Sequence, residues 1–314
     1  MSGSAIVTLT MNTALDVTAE ADEVVPTEKI RCRAERYDAG GGGVNVARFA
    51  HALGASVSAV FTAGGSTGAR VIDLVHASGV PEDPVLIDGA TRESFTVNER
   101  VSGKQYRFIL PGPVLSAGEQ ARCLEALRRS ARSAQIVVAS GSLPPGVPPD
   151  FYRRVADVCT ATGVLLILDT SGSGLSHVTS GVHLLKPSVR ELRECVGRAL
   201  ATEPEQVAAA RELIDRGVTK AVVVSLGSQG ALLVTSTDGE RFPALPVTSV
   251  SGVGAGDAMV AGITVGLVRR WPLERAVRFG MAAATAKLQT PGTSVFHRDD
   301  AERYFRAQLS HSDA

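Results

Sequence analysis

The sequence predicts an α/β protein in which helices cover both faces of a mostly parallel β-sheet, giving three layers, with a small second β-sheet projecting from it. Three observations support this fold class. Short β-branched apolar runs recur along the chain, amphipathic helical patterns lie between them, and two segments break the rhythm by alternating polar with apolar residues. Continuous apolar runs are typical of strands buried on both faces, whereas alternation is typical of strands with one polar face.

The apolar runs give five core strands, at residues 5–10, 57–61, 136–140, 164–169 and 221–226. The helical patterns cover residues 44–54, 119–131, 151–163 and 204–217. Ligands of parallel sheets bind at the carboxyl ends of the strands. We therefore expect one site to be surrounded by the loops after residues 10, 62, 140, 169 and 226.

The alternating segments are residues 15–39 and 92–110, which together we call the lid. Neither segment offers a helical face, so both are predicted to form antiparallel strands of the projecting sheet, placed over the site. The apolar outer face of this sheet is expected to pair with a second copy in a homodimer, burying Val17, Phe95, Val97 and Phe108. No clean linker interrupts the chain, and residues 1–314 are predicted to form one domain that carries the lid.

Composition and charge exclude several classes of function. The 314 residues include 32 basic and 32 acidic side chains, a balance that argues against a nucleic-acid partner. No apolar stretch is long enough to span a membrane and residues 1–12 do not read as a signal peptide, so we expect a cytoplasmic protein without membrane contact. The cysteines lie far apart without a Cys-x-x-Cys pair, which predicts free thiols rather than disulfides or a metal site at Cys32, Cys123, Cys159 and Cys195.

The strongest motif is SGVGAGDAMVAG at residues 251–262, which leads into a helical pattern ending near Arg269. Its small residues allow a tight turn and a close approach of the backbone to a ligand. A helix that begins here directs unpaired N–H groups at that ligand, which suits an anion. Asp257 stands at the helix start, where it either caps the helix or accepts a proton from a substrate hydroxyl.

This segment resembles the GAGD signature of the ribokinase-like (PfkB) carbohydrate kinases. The likeness extends to DAGGGGVNVARFAHALG, SGSLPPG, LLKPSVREL and SLGSQGALL, which occupy residues 38–54, 140–146, 184–192 and 225–233. The resemblance implies a ribokinase-like fold and ATP-dependent phosphorylation of a sugar hydroxyl. It also implies that Asp257 is the general base and that an anion hole is formed by the amides of Gly254, Ala255 and Gly256.

On the sugar side, the run of glycines allows close approach of the backbone, and the amide of Asn45 can hydrogen-bond hydroxyls. Alone, the same residues would be read as a hinge or a strand-to-helix turn, and Asp16 as a turn residue. The family likeness favours a sugar-binding set of Asp16, Gly41, Gly42, Gly43 and Asn45.

On the nucleotide side, Lys186 follows a strand, where an ammonium can reach phosphates. The resemblance implies ATP binding by Lys186, Ser188, Glu191, Ser225, Gly227 and Gly230. It also implies Mg²⁺ bound with ATP and supported by Glu191 through water, and it allows a K⁺ site. The chain departs from the family's Asn-x-x-Glu element, because Ser188 replaces the asparagine; a hydroxyl can still hydrogen-bond a metal-bound water, so we expect activity to survive.

Within the family, residues 91–99 and 104–113 resemble the phosphofructokinase branch, and a glycine run without lysine is typical of its ribokinase-type 6-phosphofructokinases. This likeness implies transfer of phosphate from ATP to the C1 hydroxyl of fructose 6-phosphate. Arg92 is then the leading clamp for the 6-phosphate, Ser140 adds a hydroxyl, and Lys29 and Arg107 are weaker candidates.

Four alternatives stay open. The alternatives are a kinase for fructose 1-phosphate, a kinase for tagatose 6-phosphate, a nucleoside kinase, and a weakly active sugar-phosphate sensor, the last supported only by Ser188. Two common nucleotide-binding motifs are not found: GGGGVNVA does not fit the dinucleotide pattern GxGxxG, and no Walker A GxxxxGK[ST] occurs.

Overall fold

The computed structural model of the chain describes residues 4–312, and in this range the larger sheet has nine strands. They are β1 (Ile6–Thr10), β4 (Val57–Ala63), β5 (Glu82–Leu86), β8 (Ile136–Ser140), β9 (Leu165–Asp169), β10 (Val182–Leu185), β11 (Thr219–Ser225), β12 (Ala231–Val234) and β13 (Gly239–Phe242). Their spatial order is β13-β12-β11-β10-β9-β8-β1-β4-β5. The pairs β11–β12 and β12–β13 are antiparallel, and the other neighbours are parallel.

The helices of the described residues are α1 (Gly42–Ala52), α2 (Gly65–Ala77), α3 (Ala117–Ala131), α4 (Phe151–Thr162), α5 (Ser173–Ser176), α6 (Val189–Val196), α7 (Glu203–Asp215), α8 (Ala255–Val268), α9 (Leu273–Leu288) and α10 (Arg298–Ser312). Apolar residues of α1, α8 and α9 form one core against the larger sheet. Those of α3, α4 and α7 form a second core on its other face. The predicted α/β fold of three layers is therefore confirmed.

The predicted core strands are found where the apolar runs are. Every residue of β1 and β8 is buried, as expected of strands with helices on both faces. The strands that the sequence pattern missed lie toward the edges of the sheet: β5 contains polar residues and a proline, and β12 and β13 have only four residues each. Such short or mixed segments carry too weak an apolar signal to be recognised.

The small sheet is built from the lid. Its strands are β2 (Ala14–Ala21), β3 (Arg33–Gly40), β6 (Arg92–Glu99) and β7 (Gln105–Ile109), in the order β3-β2-β6-β7. The outer pairs are antiparallel, as predicted. The prediction is wrong for the central pair, because β2 and β6 run parallel. They lie far apart in the chain and are joined through the larger sheet, so no hairpin turn forces them to be antiparallel.

The two faces of the small sheet differ in chemistry. One cross-strand row places Asp38, Asp16, Ser94 and Ile109 side by side. The next row, on the opposite face, consists of Tyr37, Val17, Phe95 and Phe108. Helix α2 packs against β2 and β3, so this second face is covered at its β3 end and open at its β7 end.

The cysteines of the chain are free thiols. Burial raises the pKa of both Cys123 and Cys159 to about 12, so these two thiols are unreactive. Within residues 4–312, no helix has both the length and the apolar composition needed to cross a membrane.

Candidate active site

A polar cavity of about 330 Å³ opens at the carboxyl ends of the central strands. β8 and β9 deliver the loops that follow Ser140 and Asp169, α1 and α8 deliver their first turns, and the lid strands close one side. Two of the expected loops, those after residues 10 and 62, supply no lining residue, whereas the loop after residue 226 lines a neighbouring cavity. The lining includes Asp16, Gly41, Gly42, Asn45, Arg92, Arg107, Ser140, Asp169, Glu191, Gly254 and Asp257.

Asp257 lies in the first turn of α8, after a turn in which Gly254 takes the left-handed φ of 79°. Its side chain does not cap the helix; instead, the Asn45 amide donates a hydrogen bond of 2.9 Å to its Oδ2. The first-turn amides of a helix have no intrahelical acceptor and point toward bound anions. The amide of Ala255 donates to Gly252 O at 3.4 Å, a long bond that an anion can replace.

The Asp257 carboxyl is half-buried by surface area because it lines the cavity, but it lies deep in the protein. Desolvation and the nearby Asp169 raise its pKa to about 7, while the Asn45 hydrogen bond and Lys186 oppose the shift. A carboxylate with a pKa near neutrality accepts a proton far more readily than one with an ordinary pKa near 4. The arrangement is therefore suited to general base chemistry on a hydroxyl.

Lys186 is buried beneath this turn and forms an ion pair of 3.0 Å with Asp169. Burial lowers the pKa of Lys186, but attraction to Asp169 and the other nearby carboxylates outweighs that effect, so its pKa is raised and the ammonium stays charged. A Cβ placed on Gly256 would lie 3.7 Å from the Lys186 Nζ, so the positive charge sits beside the anion-binding turn. Sequence analysis missed Asp169, although its position at the end of β9 was the available signal.

Of the residues predicted to bind the sugar, Asp16, Gly41, Gly42 and Asn45 line the polar cavity. Asp16 lies on β2, and desolvation raises its pKa to about 6, against the attraction of Arg107 and Arg92. Thr293 Oγ1 is within 3.5 Å of Asp16 Oδ2. A Cβ on Gly42 would collide with the Ser140 side chain and the Gly141 backbone, so glycine is required there for the helix to approach β8.

Two guanidinium groups line the lid side of the cavity. Arg92 on β6 is anchored by its terminal nitrogens, which donate to Leu110 O at 3.1 Å and Asn12 O at 3.2 Å, while its buried Nε has no partner among the described residues. Arg107 on β7 is exposed and also lines the cavity. Lys29, the third basic candidate, is exposed in the connection between β2 and β3 and does not line the cavity.

A second cavity of about 600 Å³ lies beyond the first turn of α8. It takes in Ser225, Gly227 and Gly230, together with the largely apolar residues Leu245, Pro246, Val247, Met259, Met281 and Leu288. Gly252, Ala255 and Gly256 line this cavity, whereas Val253, Gly254 and Asp257 line the first one. The turn that begins α8 therefore lies between a polar cavity and an apolar one. A group transferred from one cavity to the other would pass this turn.

Ser188 and Glu191 form a reciprocal capping box at the start of α6. Glu191 Oε2 accepts bonds of 2.8 Å from both the amide and the hydroxyl of Ser188, and the Glu191 amide donates to Ser188 Oγ at 3.2 Å. One carboxylate oxygen is thus fixed while Glu191 still lines the cavity. A single carboxylate of this kind fits an Mg²⁺ ion that arrives with ATP, because Mg²⁺ keeps water and phosphate ligands and needs few from protein.

One buried residue outside the predicted set links the site to the lid. Arg48 of α1 donates to Ala39 O at 2.9 Å and Thr293 O at 3.3 Å, and it pairs with Asp38 at 3.4 Å. Its contacts join β3 to the loop after α9. Arg48 and Thr293 are 245 positions apart in the sequence, which is why no sequence pattern revealed this contact.

Fold and site together fit an enzyme that acts on a hydroxyl held in the polar cavity, beside the Asp257 carboxylate. The family model of pfkB family carbohydrate kinases matches residues 4–299. The chain belongs to this family and is a phosphotransferase.

Among curated relatives, ATP-dependent 6-phosphofructokinase isozyme 2 of Mycobacterium tuberculosis is 62% identical over 300 residues, covering 96% of this chain and 88% of the relative. The Escherichia coli isozyme 2 is 40% identical over 303 residues, covering 96% and 97%. A 1-phosphofructokinase of Haloferax volcanii is more distant, at 34% identity over 94% of both chains.

Solved structures of Escherichia coli phosphofructokinase-2 superpose closely. The complex of that protein with fructose-6-phosphate gives a TM-score of 0.90 at 38% identity, covering 98% of this chain and 99% of the other. The TM-score is 0.92 for the complex of that protein with potassium and 0.91 for its tetrameric inhibited form, with the same identity and coverage.

Proposed function

We propose that this protein is an ATP-dependent 6-phosphofructokinase, which transfers the γ-phosphoryl group of ATP to the C1 hydroxyl of fructose 6-phosphate. The observation that carries the substrate assignment is the presence of two guanidinium groups, Arg92 and Arg107, in the same cavity as Asp257. Asp16 attracts both, but neither forms an ion pair within residues 4–312, and a neutral sugar would supply no anion to pair with them. The 62% and 40% identical relatives, both named ATP-dependent 6-phosphofructokinase, support the same assignment.

In the proposed reaction, Asp257 accepts the proton of the C1 hydroxyl as that oxygen attacks the γ-phosphorus and the bond to the β–γ bridging oxygen breaks. The products are fructose 1,6-bisphosphate and ADP. Asn45 holds the carboxylate toward the cavity at 2.9 Å. The amides of Gly254, Ala255 and Gly256 and the buried ammonium of Lys186 stabilise the negative charge on the transferred group.

The sugar phosphate is proposed to lie along the lid. Asp16, the backbone of Gly41 and Gly42, and Asn45 hold hydroxyls, while Arg92, Arg107 and Ser140 hold the 6-phosphate. The buried Nε of Arg92 without a partner supports this role, because an unsatisfied buried donor is costly unless a ligand accepts from it. Gly43 is buried behind the cavity wall and acts through close packing rather than contact.

The nucleotide is proposed to place its adenosine in the apolar cavity, against Ser225, Gly227 and Gly230. Its phosphates then reach the α8 turn near Lys186, with Ser188 and Glu191 at their far side. Glu191 would hold Mg²⁺ through water, and the ion supplies neutralisation of phosphate charge when bound. The capping box explains how Ser188 serves in place of the family asparagine: it fixes Glu191.

A homodimer through the lid is part of the proposal. Phe95 and Phe108, at 36% and 53% exposure, form the uncovered end of the apolar face. Val17 does not contribute as first expected, because it is already buried within the chain under α2. The free cysteines and the need for ATP and sugar phosphates favour a cytoplasmic location.

The direct test is a panel of acceptors assayed with MgATP, with ³¹P NMR to locate the new phosphate. We expect the highest kcat/KM with fructose 6-phosphate and phosphorylation at C1. Preference for fructose 1-phosphate or tagatose 6-phosphate would overturn the assignment of fructose 6-phosphate, but the protein would still be a sugar-phosphate kinase. Binding without turnover of any acceptor would instead indicate a sugar-phosphate sensor.

A further inference from the structure

Lys287, in the last turn of α9, is a buried cation with no part in the site described so far. Its side chain has no exposed surface, yet no carboxylate pairs with it among residues 4–312. Its Nζ donates instead to two backbone carbonyls, those of Gly292 at 2.8 Å and Thr290 at 3.3 Å. Burying an ammonium against uncharged groups is costly, so its place calls for a functional reason.

The loop that follows α9 is folded around this ammonium. The amide of Thr290 donates to Lys287 O at 3.0 Å, Ser294 N donates to Pro291 O at 3.0 Å, and Gly292 takes a left-handed φ of 49°. Thr290 Oγ1 also bonds to Ser294 O at 3.2 Å. These bonds curl the backbone so that carbonyl oxygens meet one small buried cation. Backbone carbonyls are also the ligands that K⁺ takes in proteins.

The position of the ammonium connects it to phosphoryl transfer. A Cβ on Gly254 would lie 3.4 Å from Cε of Lys287, so the side chain packs directly behind the turn that begins α8. The same loop reaches Asp16 through Thr293. A positive charge at this point both orders the loop and favours anions at the α8 turn.

The group keeps its charge at neutral pH. Burial lowers the pKa of Lys287 to about 8, opposed by Asp38 and Asp257, while Arg36 and Arg48 add to the lowering. The ammonium therefore remains mostly protonated at pH 7.

We propose that the Lys287 ammonium is a built-in monovalent cation, which fills the carbonyl-lined space of the 287–294 loop and makes catalysis independent of added K⁺. The inference rests on the proposed kinase function and replaces the K⁺ site that the sequence led us to expect. Escherichia coli phosphofructokinase-2 differs in that it has been solved in complex with potassium. In this chain, the carbonyls of Thr290 and Gly292 already accept hydrogen bonds from the Lys287 ammonium.

The first experiment uses the wild-type protein. Activity is measured in tetramethylammonium, Na⁺ and K⁺ salts of equal ionic strength, and ²⁰⁵Tl NMR reports binding of Tl⁺, a mimic of K⁺. We expect equal activity in all three salts and no Tl⁺ binding. Activation by K⁺ together with bound Tl⁺ would overturn the proposal. The Tl⁺ measurement holds even if fructose 6-phosphate proves not to be the substrate, so failure of the function and failure of this inference can be told apart.

The second experiment empties the space. Lys287→Ala should lose about 10- to 100-fold in kcat in tetramethylammonium, bind Tl⁺, and show a rise in melting temperature specific to K⁺ over Na⁺. K⁺ should restore most of its kcat. Lys287→Met, which keeps the volume without the charge, should be impaired and should not be restored. Lys220→Ala removes an exposed lysine and serves as the control.

A Lys287→Ala protein that folds, binds no Tl⁺ and is not restored by K⁺ would show that Lys287 is only a structural pin of the loop, and the proposal would fall. If Lys287→Ala does not fold, the wild-type salt series and Lys287→Met decide: K⁺ activation of either one contradicts the proposal.

Discussion

The carboxyl edge of the nine-stranded sheet and the four-stranded lid sheet face the same cavity, but they are built differently. The large sheet is buried on both faces, and it holds Asp169 and Lys186 as a rigid, buried ion pair of 3.0 Å. The lid sheet has one polar face toward the cavity and one apolar face that is open at β7. The contrast supports the proposal that the large sheet provides the chemistry, whereas the lid recognises the substrate and contacts a second copy.

The largest expected effect is on the chemistry side. Asp257→Asn should keep the fold and bind both substrates, but lose kcat by about 10² to 10⁴-fold, because the amide cannot accept the hydroxyl proton. Steady-state kinetics with circular dichroism as the folding check measure this. Asn45→Ala, which removes the hydrogen bond to Asp257 together with the proposed contact to a sugar hydroxyl, should lose less kcat; near-normal kcat in Asp257→Asn would refute the assignment.

A smaller effect is expected on the recognition side. Arg92→Ala should raise KM for fructose 6-phosphate, not for ATP, with a loss in kcat/KM of about 10- to 150-fold, the worth of a charge-assisted contact. Arg92→Lys should recover only part of this, since an ammonium lacks the guanidinium fork. Fructose, which lacks the phosphate, should be a poor substrate, and its kcat/KM should hardly change in Arg92→Ala. Equal losses for fructose and its phosphate would make Arg92 a residue that only folds the lid.

The pH profile separates the Asp257 carboxylate from that of Asp16. The pKa of Asp257 is raised to about 7, so below that pH the base is protonated and kcat/KM should fall, by about tenfold between pH 7 and pH 6 at most. Asp169→Asn removes a negative neighbour and should move this fall to lower pH. Asp16→Asn should leave its position almost unchanged in the activity that remains. If kcat/KM instead falls near pH 6, where Asp16 has its pKa of about 6, the titrating group would be Asp16 of the lid.

The smallest effect on turnover is expected from the apolar face of the lid. Phe108→Asp should weaken a lid-mediated dimer by at least about tenfold while changing kcat little, since an exposed aromatic at an interface is a frequent hot spot. Light scattering at micromolar concentration measures the change. Leu86→Asp introduces the same charge at an exposed position of the large sheet and should leave the dimer intact. A wild-type monomer would contradict the proposal outright.

The same contrast explains what sequence analysis predicted well. The central strands and the turn before Asp257 depend on local patterns, and both were found where expected. The parallel pairing of β2 with β6 and the pairing of Asp169 with Lys186 depend on distant segments meeting in space, which no local pattern records. The Ser188 capping box is different: Ser-x-x-Glu is a readable signature of a helix start, so this contact could have been predicted from the sequence.

The contacts of Arg48 set a limit on how the lid can move. Because this buried guanidinium joins Ala39 O and Asp38 to Thr293 O, and α2 covers the neighbouring strands, the β3 side of the lid is tethered to the body of the protein. The β6–β7 hairpin is held by fewer buried contacts: Arg92 donates to Asn12 O at 3.2 Å, and Gln105 makes a long bond of 3.4 Å to Ser251 Oγ. Closure over a substrate must therefore be a twist of the lid sheet that is smallest at β3 and largest at β7. Arg107, on the outermost strand, then travels farther than Arg92.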